Sequence, residues 1–219
     1  MQKIKFISSL VVAAAIFQGC STKVKTEEYN NSAEAWYQKI GNSVASKNLD
    51  KADQYFVSLK SEHANSEYIK ESIMLLANAH MDSDEYLLAS FYYDEYIKRF
   101  GNNSSPVTMQ YVDFMKIKAA FLGIKKLNRD QKLIIDTIEN ASGFGVKYPN
   151  SEYNPLVNSM LIRLQMGQYM LNENIASLYD RTGKPEAAKI YRAKNSSSAI
   201  KLDDIAMPEA GIIDSFFDW

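Results

Sequence analysis

The chain of 219 residues has one cysteine, two histidines, five prolines, nine glycines and no excess of basic residues. One cysteine cannot build a disulfide framework, so the fold must rest on a hydrophobic core, for which the 46% apolar composition is sufficient. Since 25 basic residues face 26 acidic ones, the chain lacks the positive charge on which nucleic-acid binding depends. Few prolines and glycines, mostly placed between apolar-periodic segments, indicate an all-α protein.

Few side chains are suited to catalysis or metal binding. His63 and His80 have no cysteine or histidine partner at ligand spacing, and we expect His80 to occupy a helix-packing position. Asp82, Asp84 and Glu85 cluster without the glycine and terminal glutamate of a calcium loop, which favours a solvated helix start. Phosphate-binding glycine patterns and nucleophile motifs are also missing. We therefore expect no enzyme activity, no metal and no cofactor.

The amino terminus has the features of an export signal. Two lysines precede the apolar run 10–17, which is too short to cross a bilayer of ~30 Å. Gly19 and Cys20 follow, and this order resembles bacterial lipoprotein signals, in which the thiol is acylated and the cysteine becomes the new amino terminus. An ordinary secreted protein with an unpaired thiol is the alternative. We predict a signal peptide over 1–19 and lipidation of Cys20.

Residues 20–32 carry little apolar content and no period, so they are expected to form a flexible tether. Removing the signal takes away two lysines and no acid, which leaves 23 basic against 26 acidic residues, a net charge of −3. Within the tether, Glu28 stands two residues before Asn30 in an Asn-x-Ser site, similar to the extended acceptor of bacterial N-glycosylation systems. Asn30 is therefore a possible glycosylation site.

A repeated pattern of small and aromatic residues organises the domain predicted over 33–194. In two segments a large apolar residue lies 16 positions before an alanine and an aromatic lies four after it: Trp36, Ala52, Phe56 and Ile73, Ala89, Tyr93. Ala176 and Ala188 repeat the 12-residue step from Ala77 to Ala89. These spacings resemble the tetratricopeptide repeat, a helix-turn-helix unit of about 34 residues. The resemblance implies about four antiparallel helix pairs in a right-handed superhelix.

The third repeat is longer than the others. The polar stretch 125–131 separates its two helices, and Gly143 with Gly145 is expected to interrupt the second one near its end. Gly183 followed by Pro185 predicts the end of one helix and the start of the next. The tail 195–219 is expected to be a loop whose apolar end caps the open superhelix or docks on a partner.

The chain thus offers a surface in place of a reaction centre. In stacked repeats the first helix of each pair lines a concave groove that accepts extended or helical peptides. Counting from the small positions, six residues should face it: Tyr37, Met74, Asn78, Met81, Glu173 and Asp180. Alternatively, Met74 and Met81 belong to the core.

Local sequence adds a family resemblance. The run 147–153 contains Tyr-Pro-Asn-Ser and, two residues on, a further tyrosine, like the turn between the third and fourth repeats of one known family. Residues 111–116 resemble the first helix of the repeat before that turn, and 129–131 resemble the Arg-Asp-Pro insertion of the same family. Segments 88–90 and 96–100 match the second repeat. Over about 160 residues the chain resembles the BamD family, lipoproteins of the outer-membrane β-barrel assembly machinery.

The resemblance implies a scaffold in the periplasm, held by lipid to the inner leaflet of the outer membrane. Its partners would be the barrel-forming, BamA-like subunit, other assembly lipoproteins and unfolded outer-membrane proteins, bound without a covalent step. Family members usually have a fifth repeat that contacts the barrel subunit, whereas this sequence stops soon after the fourth. A scaffold for cell-wall enzymes, cell division or secretin assembly remains the alternative.

Overall fold

The computed structural model describes residues 29–196, in which eight α-helices and one short 3₁₀ turn, and no strand, occur. The helices are α1 (Ala33–Ala45), α2 (Leu49–Glu62), α3 (Tyr68–Asp82), α4 (Tyr86–Phe100), α5 (Pro106–Leu122), α6 (Gln131–Lys147), α7 (Asn154–Arg181) and α8 (Pro185–Ser196), with the 3₁₀ turn at Gly101–Asn103. The predicted all-α class is confirmed. None of these helices is both long and apolar enough to cross a membrane.

Side-chain caps fix several helix starts. The Ser32 hydroxyl accepts a hydrogen bond from the Ala35 amide at 3.1 Å, and Asn48 does the same for Lys51 at 3.2 Å. Ser105 caps α5, whose first residue is a proline that has no amide hydrogen to leave unpaired. Each helix packs on the one before it in the chain.

Small residues at the predicted positions allow the helix pairs to approach closely. Ala52, Ala89 and Ala188, one on the second helix of three pairs, are each 0% exposed. Because alanine has only a methyl side chain, facing helices can pack at short axial distance. The tetratricopeptide-like architecture is confirmed, with α1 and α2, α3 and α4, and α7 and α8 packed as pairs.

Two hydrophobic clusters stabilise the domain. The first joins helices α1 to α5 around buried side chains such as Trp36 and Tyr93. The second joins α5, α6 and α7 around Phe121 and Leu164. Helix α5 contributes to both clusters, so it couples the amino-terminal repeats to the carboxy-terminal ones.

The connection between α5 and α6 is ordered by its own contacts. Ile124 and Leu127 are buried in the second cluster. Asp130 accepts hydrogen bonds from the backbone amides of Lys125 and Lys126, both at 3.0 Å. The insertion is therefore a fixed loop that presents basic side chains.

The expectation that Gly143 and Gly145 interrupt the second helix of the third repeat is wrong. Helix α6 continues through both glycines and ends at Lys147. Ala141 and Phe144 of the same helix are buried in the second cluster, and this packing outweighs the glycine propensity of about 1 kcal/mol each.

Helix α7 has 28 residues, about twice the length of the other helices, and it continues without a break through the buried Gly167. Its first half packs on α6 through Val157 and Leu164, and its second half packs on α8. Gly183 then adopts φ +72° and α8 begins at Pro185, as the sequence predicts. The signal peptide, most of the tether and the tail from residue 197 lie outside the described residues.

Candidate binding face on the first helices

Five side chains of α3 form a stripe along one side of the helix: Tyr68, Glu71, Met74, Asn78 and Met81. Their spacing of three or four residues places them above one another on a helix surface. None of the five is fully buried, and Glu71 is exposed. We call this stripe, together with Tyr37 of α1, the first-helix face. Four of the six predicted groove residues thus lie on it, and their role in binding stays a prediction.

An aromatic pair occupies the amino-terminal end of this face. The rings of Tyr37 and Tyr68 stack with their centroids 5.1 Å apart. Burial, followed by the neighbouring Glu71, raises the pKa of Tyr37, and burial followed by Glu34 and Glu67 raises that of Tyr68. Both phenols stay neutral at physiological pH, and the carboxylates around them make this end aromatic and negatively charged.

The middle of the face is held from behind by a buried tyrosine. The Tyr93 hydroxyl donates a hydrogen bond to the Asn78 side-chain oxygen at 2.7 Å. Burial, followed by the nearby Tyr111 and Asp82, raises the pKa of Tyr93, so the phenol remains a donor. Asn78 is therefore fixed by α4 and keeps its amide hydrogens for other partners.

Met74 and Met81 are both partly exposed and packed against the first core cluster. The packed part of each side chain agrees with the core alternative, and the groove role of the exposed part stays a prediction. Methionine suits such positions because its flexible side chain adapts to different partners.

Glu173 and Asp180 make their contacts with α8. The Arg192 guanidinium lies 2.7 Å from the Asp180 carboxylate and 3.5 Å from that of Glu173. The Asn195 side chain also donates to Glu173 at 3.0 Å. These two predicted groove residues thus hold the last helix pair together, and their groove role stays a prediction.

Sequence reasoning missed Tyr68, Glu71 and Tyr111 as neighbours of the predicted residues. The chain has 14 tyrosines, a high number for its length, and this was one sequence signal that could have pointed to the missed tyrosines. Tyr37, Tyr68 and Tyr111 all lie on first helices of their repeats.

His80 is 1% exposed, which confirms its packing position. Its Nε2 lies 3.0 Å from the Asp53 carboxylate and its Nδ1 contacts Glu85, while the Tyr92 ring stacks on the imidazole at 5.4 Å. Glu85 is exposed and stands at the N-cap of α4, which confirms the predicted solvated helix start, and its carboxylate also binds the imidazole. Across residues 29–196, no group of acidic, histidine or cysteine side chains is arranged to hold a metal ion.

The Tyr-Pro-Asn-Ser turn fastens α6 and α7 onto α5. The Tyr148 hydroxyl donates to Asp113 at 2.8 Å, and the Lys147 ammonium lies 2.7 Å from the same carboxylate. The Asn154 amide donates to the carbonyls of Tyr148 and Pro149 at 2.9 and 3.0 Å. The Ser151 hydroxyl of the motif accepts a hydrogen bond from the Tyr153 amide at 3.1 Å, so the turn is held both to α5 and to the start of α7.

The two predicted modification sites differ in what the structure describes of them. Cys20 lies outside the described residues. Asn30 is exposed and has φ +56°, a conformation that asparagine tolerates. The hydroxyl of Ser32, two residues on, is engaged as the cap of α1.

Comparison with known proteins assigns the chain to a family. A family model described as "Outer membrane lipoprotein" (YfiO) matches residues 29–196. The outer membrane protein assembly factor BamD of Helicobacter pylori (strain ATCC 700392 / 26695) is 42% identical over 187 residues, which are 85% of this chain and 83% of the relative. The assembly factor of the same name from Caulobacter vibrioides (strain ATCC 19089 / CIP 103742 / CB 15) is 29% identical over 150 residues, 67% of this chain and 48% of that relative. The extent of these matches places the chain in the YfiO family of outer membrane lipoproteins.

Proposed function

We propose that this chain is a lipid-anchored periplasmic scaffold that takes part in the assembly and insertion of β-barrel proteins into the outer membrane, and that it acts by binding other proteins. The observation that carries the proposal is the 42% identity, over 85% of the chain, to a protein named as an outer membrane protein assembly factor. The helical-repeat fold supports it, since stacked helix pairs present extended binding surfaces.

The first-helix face is the proposed binding surface for unfolded outer-membrane protein segments. Partly exposed aromatic side chains offer large apolar contact area, and the flexible methionine side chains adapt to different segments. The half-buried Asn78 amide, held by Tyr93, provides an oriented hydrogen-bonding group for a peptide backbone. Such a face binds without a covalent step, so the proposed role is not enzymatic.

The remaining proposals concern attachment and partners. Cys20 would carry a diacylglyceryl group and an amide-linked acyl chain, which together supply the two-chain anchoring that stable membrane attachment requires. The partners would be a BamA-like barrel subunit and further assembly lipoproteins. Asn30 is retained as a possible glycan acceptor.

Affinity purification from solubilised outer membrane tests the assembly role. Co-isolation of a 16-strand barrel protein is the expected result. Recovery of peptidoglycan enzymes or a secretin in its place would instead support the alternative envelope roles. Intact-mass measurement of the mature protein reports the acyl chains on Cys20 and any glycan on Asn30 in the same experiment.

Variants of the aromatic pair test the binding face. Replacing Tyr37 and Tyr68 together by alanine should weaken capture of an unfolded barrel protein. The matched control removes Tyr179 and Tyr191, a stacked pair with a 5.6 Å centroid distance at the other end of the domain. Equal loss of capture in both double variants would argue against a specific role for the first-helix face.

A further inference from the structure

We propose that the α5–α6 loop and the apolar side chains beside it bind this chain's own acidic tail, residues 197–219. The receiving surface, which we call the loop face, consists of Leu87, Phe91, Lys125, Lys126 and Arg129. The tail lies outside the described residues, and charge, apolar content and reach support its place on the loop face. A tail held there covers the loop face, so an acidic segment of a partner protein must displace it in order to bind.

The loop face carries an excess of positive charge on a fixed backbone. Residues 125–132 include four basic residues and one acid. That acid, Asp130, accepts hydrogen bonds from the backbone amides of Lys125 and Lys126 and from the Arg129 side chain. Both lysines are exposed, and within residues 29–196 no ion pair involves either ammonium group. The loop therefore presents positive charge that its own acid does not neutralise.

Exposed apolar side chains adjoin the loop where α5 ends. A Cβ atom added at Gly123 would lie 2.7 Å from Cδ2 of Leu87, so the Leu87 side chain rests on the backbone two residues before Lys125. Phe91 follows Leu87 by one turn of α4, and each of the two side chains is 57% exposed. Neighbouring large apolar side chains with this exposure are typical of interaction surfaces.

The tail has the complementary composition. Residues 197–219 contain five acids and one basic residue, and Asp203 and Asp204 stand next to each other. The segment 212–219 adds two isoleucines, two phenylalanines and a tryptophan. Acids along an extended segment pair with separate cations, so the ammonium groups of the loop need not converge on one point.

The acids at the start of α4 set the direction of the bound tail. Asp84 and Glu85 directly precede this helix and are exposed, so they repel the acidic part of the tail. Its carboxylates are therefore placed on the loop, and its apolar end on Leu87 and Phe91.

The tail starts at the same level of the domain as the loop ends. The Asn195 side chain, at the end of α8, donates a hydrogen bond to the Tyr169 carbonyl of α7 at 3.2 Å. The turn 148–153 reverses the chain between α6 and α7, so Gln131 at the start of α6 lies opposite the same part of α7. Because α6 and α8 both pack on α7, their axes lie at most about 20 Å apart. The tail can span about 75 Å when extended, so the loop is within reach.

Carbodiimide cross-linking tests the contact, because it joins an ammonium group to a touching carboxylate without a spacer. The protein is the whole mature chain from residue 20 with Cys20→Ser, and peptide mass spectrometry locates the bonds. We expect bonds from Lys125 or Lys126 to acids of the tail. A mixture of isotope-labelled and unlabelled chains separates bonds within one chain from bonds between two copies. Bonds between copies only, or no bond from the loop to the tail, would overturn the proposal.

Phe91→Ser tests the apolar part of the loop face, with Ile190→Ser on α8 as the matched control. The two side chains are 57% and 61% exposed. Phe91→Ser should lower the yield of the loop–tail bond at least about threefold, because apolar contact area is lost. Ile190→Ser should leave the yield within about twofold of the parent. Loss of the bond in the control alone would place the tail on the last helix pair and reject the loop face.

Trp219 reports on the charged part. Trp36→Phe leaves it as the only tryptophan, so its quenching by acrylamide measures whether the end of the tail is covered. Lys125→Glu with Lys126→Glu should raise the quenching at least about twofold, since each lost surface pair weakens docking by up to about fivefold. Lys184→Glu with Lys189→Glu makes the same charge change beside α8 and should leave the quenching unchanged.

Equal quenching in the parent and in the loop variant, or a larger rise in the α8 control, would contradict docking on the loop. Thermal unfolding of each variant separates lost docking from lost folding. If the Trp36→Phe chain does not fold, the cross-linking experiment alone decides, since it keeps both tryptophans.

Discussion

The imidazole of His80 and the carboxylate of Asp53 join the first two repeats, with Nε2 3.0 Å from the aspartate oxygen. His80 belongs to α3, whereas Asp53 belongs to α2 and also accepts a hydrogen bond from Tyr92 of α4 at 2.7 Å. The second ring nitrogen contacts Glu85 at the start of α4. One buried side chain therefore ties together three helices from two repeats.

Replacing His80 by alanine should lower the free energy of unfolding by about 2–3 kcal/mol, because buried packing and two hydrogen bonds are lost. The loss stays below that of a fully buried ion pair, since the Asp53 and Glu85 carboxylates are 27% and 45% exposed and can regain water. Urea denaturation measures the change. His63→Ala, at the partly exposed end of α2, is the control and should cost less than about 1 kcal/mol. Equal costs for the two variants would contradict a stabilising role of the His80 contacts with Asp53 and Glu85.

Stability should depend on pH through the same histidine. Burial alone lowers the pKa of His80, but hydrogen bonds and charge from Asp53 and Glu85 outweigh it, so the pKa lies above the ordinary value of 6.5. The folded state thus holds the proton more tightly than the unfolded state. Its contribution to stability is complete below pH 6.5 and is lost as the pH rises through the raised pKa of the folded state.

Urea titrations of the parent and of His80→Gln between mildly acidic and alkaline pH isolate this effect. The stability difference between the two proteins should shrink as the pH rises above 6.5. The facing groups are Asp53 from α2, and Glu85 and Tyr92 from α4, and burial keeps the Tyr92 phenol neutral by raising its pKa. A difference that stays constant with pH would show that the imidazole does not change protonation.

The fold was predictable from the sequence because its signals are local. Small residues such as Ala52 and Ala89 recur at fixed steps beside aromatic ones, and that period dictates paired helices. The extent of α7 was less predictable, because its halves pack on different helices and only tertiary contacts show this.

Most side-chain contacts between different helices could not be predicted from the sequence. The Arg192 side chain donates a hydrogen bond to Asp180, which lies 12 residues earlier in the chain. The Glu85 carboxylate contacts His80, although its position at the start of α4 suggests a helix cap. Charge and spacing along a helix do not reveal which neighbouring helix supplies a partner. The first-helix face was found in part because repeat geometry sets its direction, whereas the Tyr37–Tyr68 stack requires the relative position of two helices.

Asn78 and Tyr93 should be energetically coupled. Asn78→Ala removes the acceptor that lies 2.7 Å from the buried Tyr93 hydroxyl, which keeps Tyr111 as a neighbour, and should cost about 1–2 kcal/mol. Once Tyr93 has been replaced by phenylalanine, the same change should cost less, which gives a coupling energy of about 1 kcal/mol in a double-mutant cycle. Strict additivity of the two changes would contradict the hydrogen bond.

Two glycines should respond to alanine in opposite directions. Gly143 lies within α6, and an added methyl group would meet nothing within 4 Å, so Gly143→Ala should stabilise the protein by about 0.5–1 kcal/mol. Gly183 has φ +72°, where a side chain is strained, so Gly183→Ala should destabilise it by about 1 kcal/mol. Thermal unfolding distinguishes the signs. Destabilisation by Gly143→Ala would mean that the glycine is required in α6.

Replacing Asp113 should lower the free energy of unfolding more than replacing other surface carboxylates does. Its side chain is 18% exposed and accepts hydrogen bonds from both Lys147 and Tyr148, so Asp113→Ala removes two contacts that fasten the α6–α7 turn to α5. A cost of about 1–2 kcal/mol is expected, together with faster hydrogen exchange in the turn 148–153.

Asp136→Ala is the matched control, because Asp136 is 47% exposed and pairs with Lys132 one turn away on the same helix. Such exposed pairs contribute about 0.5 kcal/mol or less, so the control should leave exchange in the turn unchanged. Similar exchange in the two variants would show that Tyr148 and Lys147 hold the turn without Asp113.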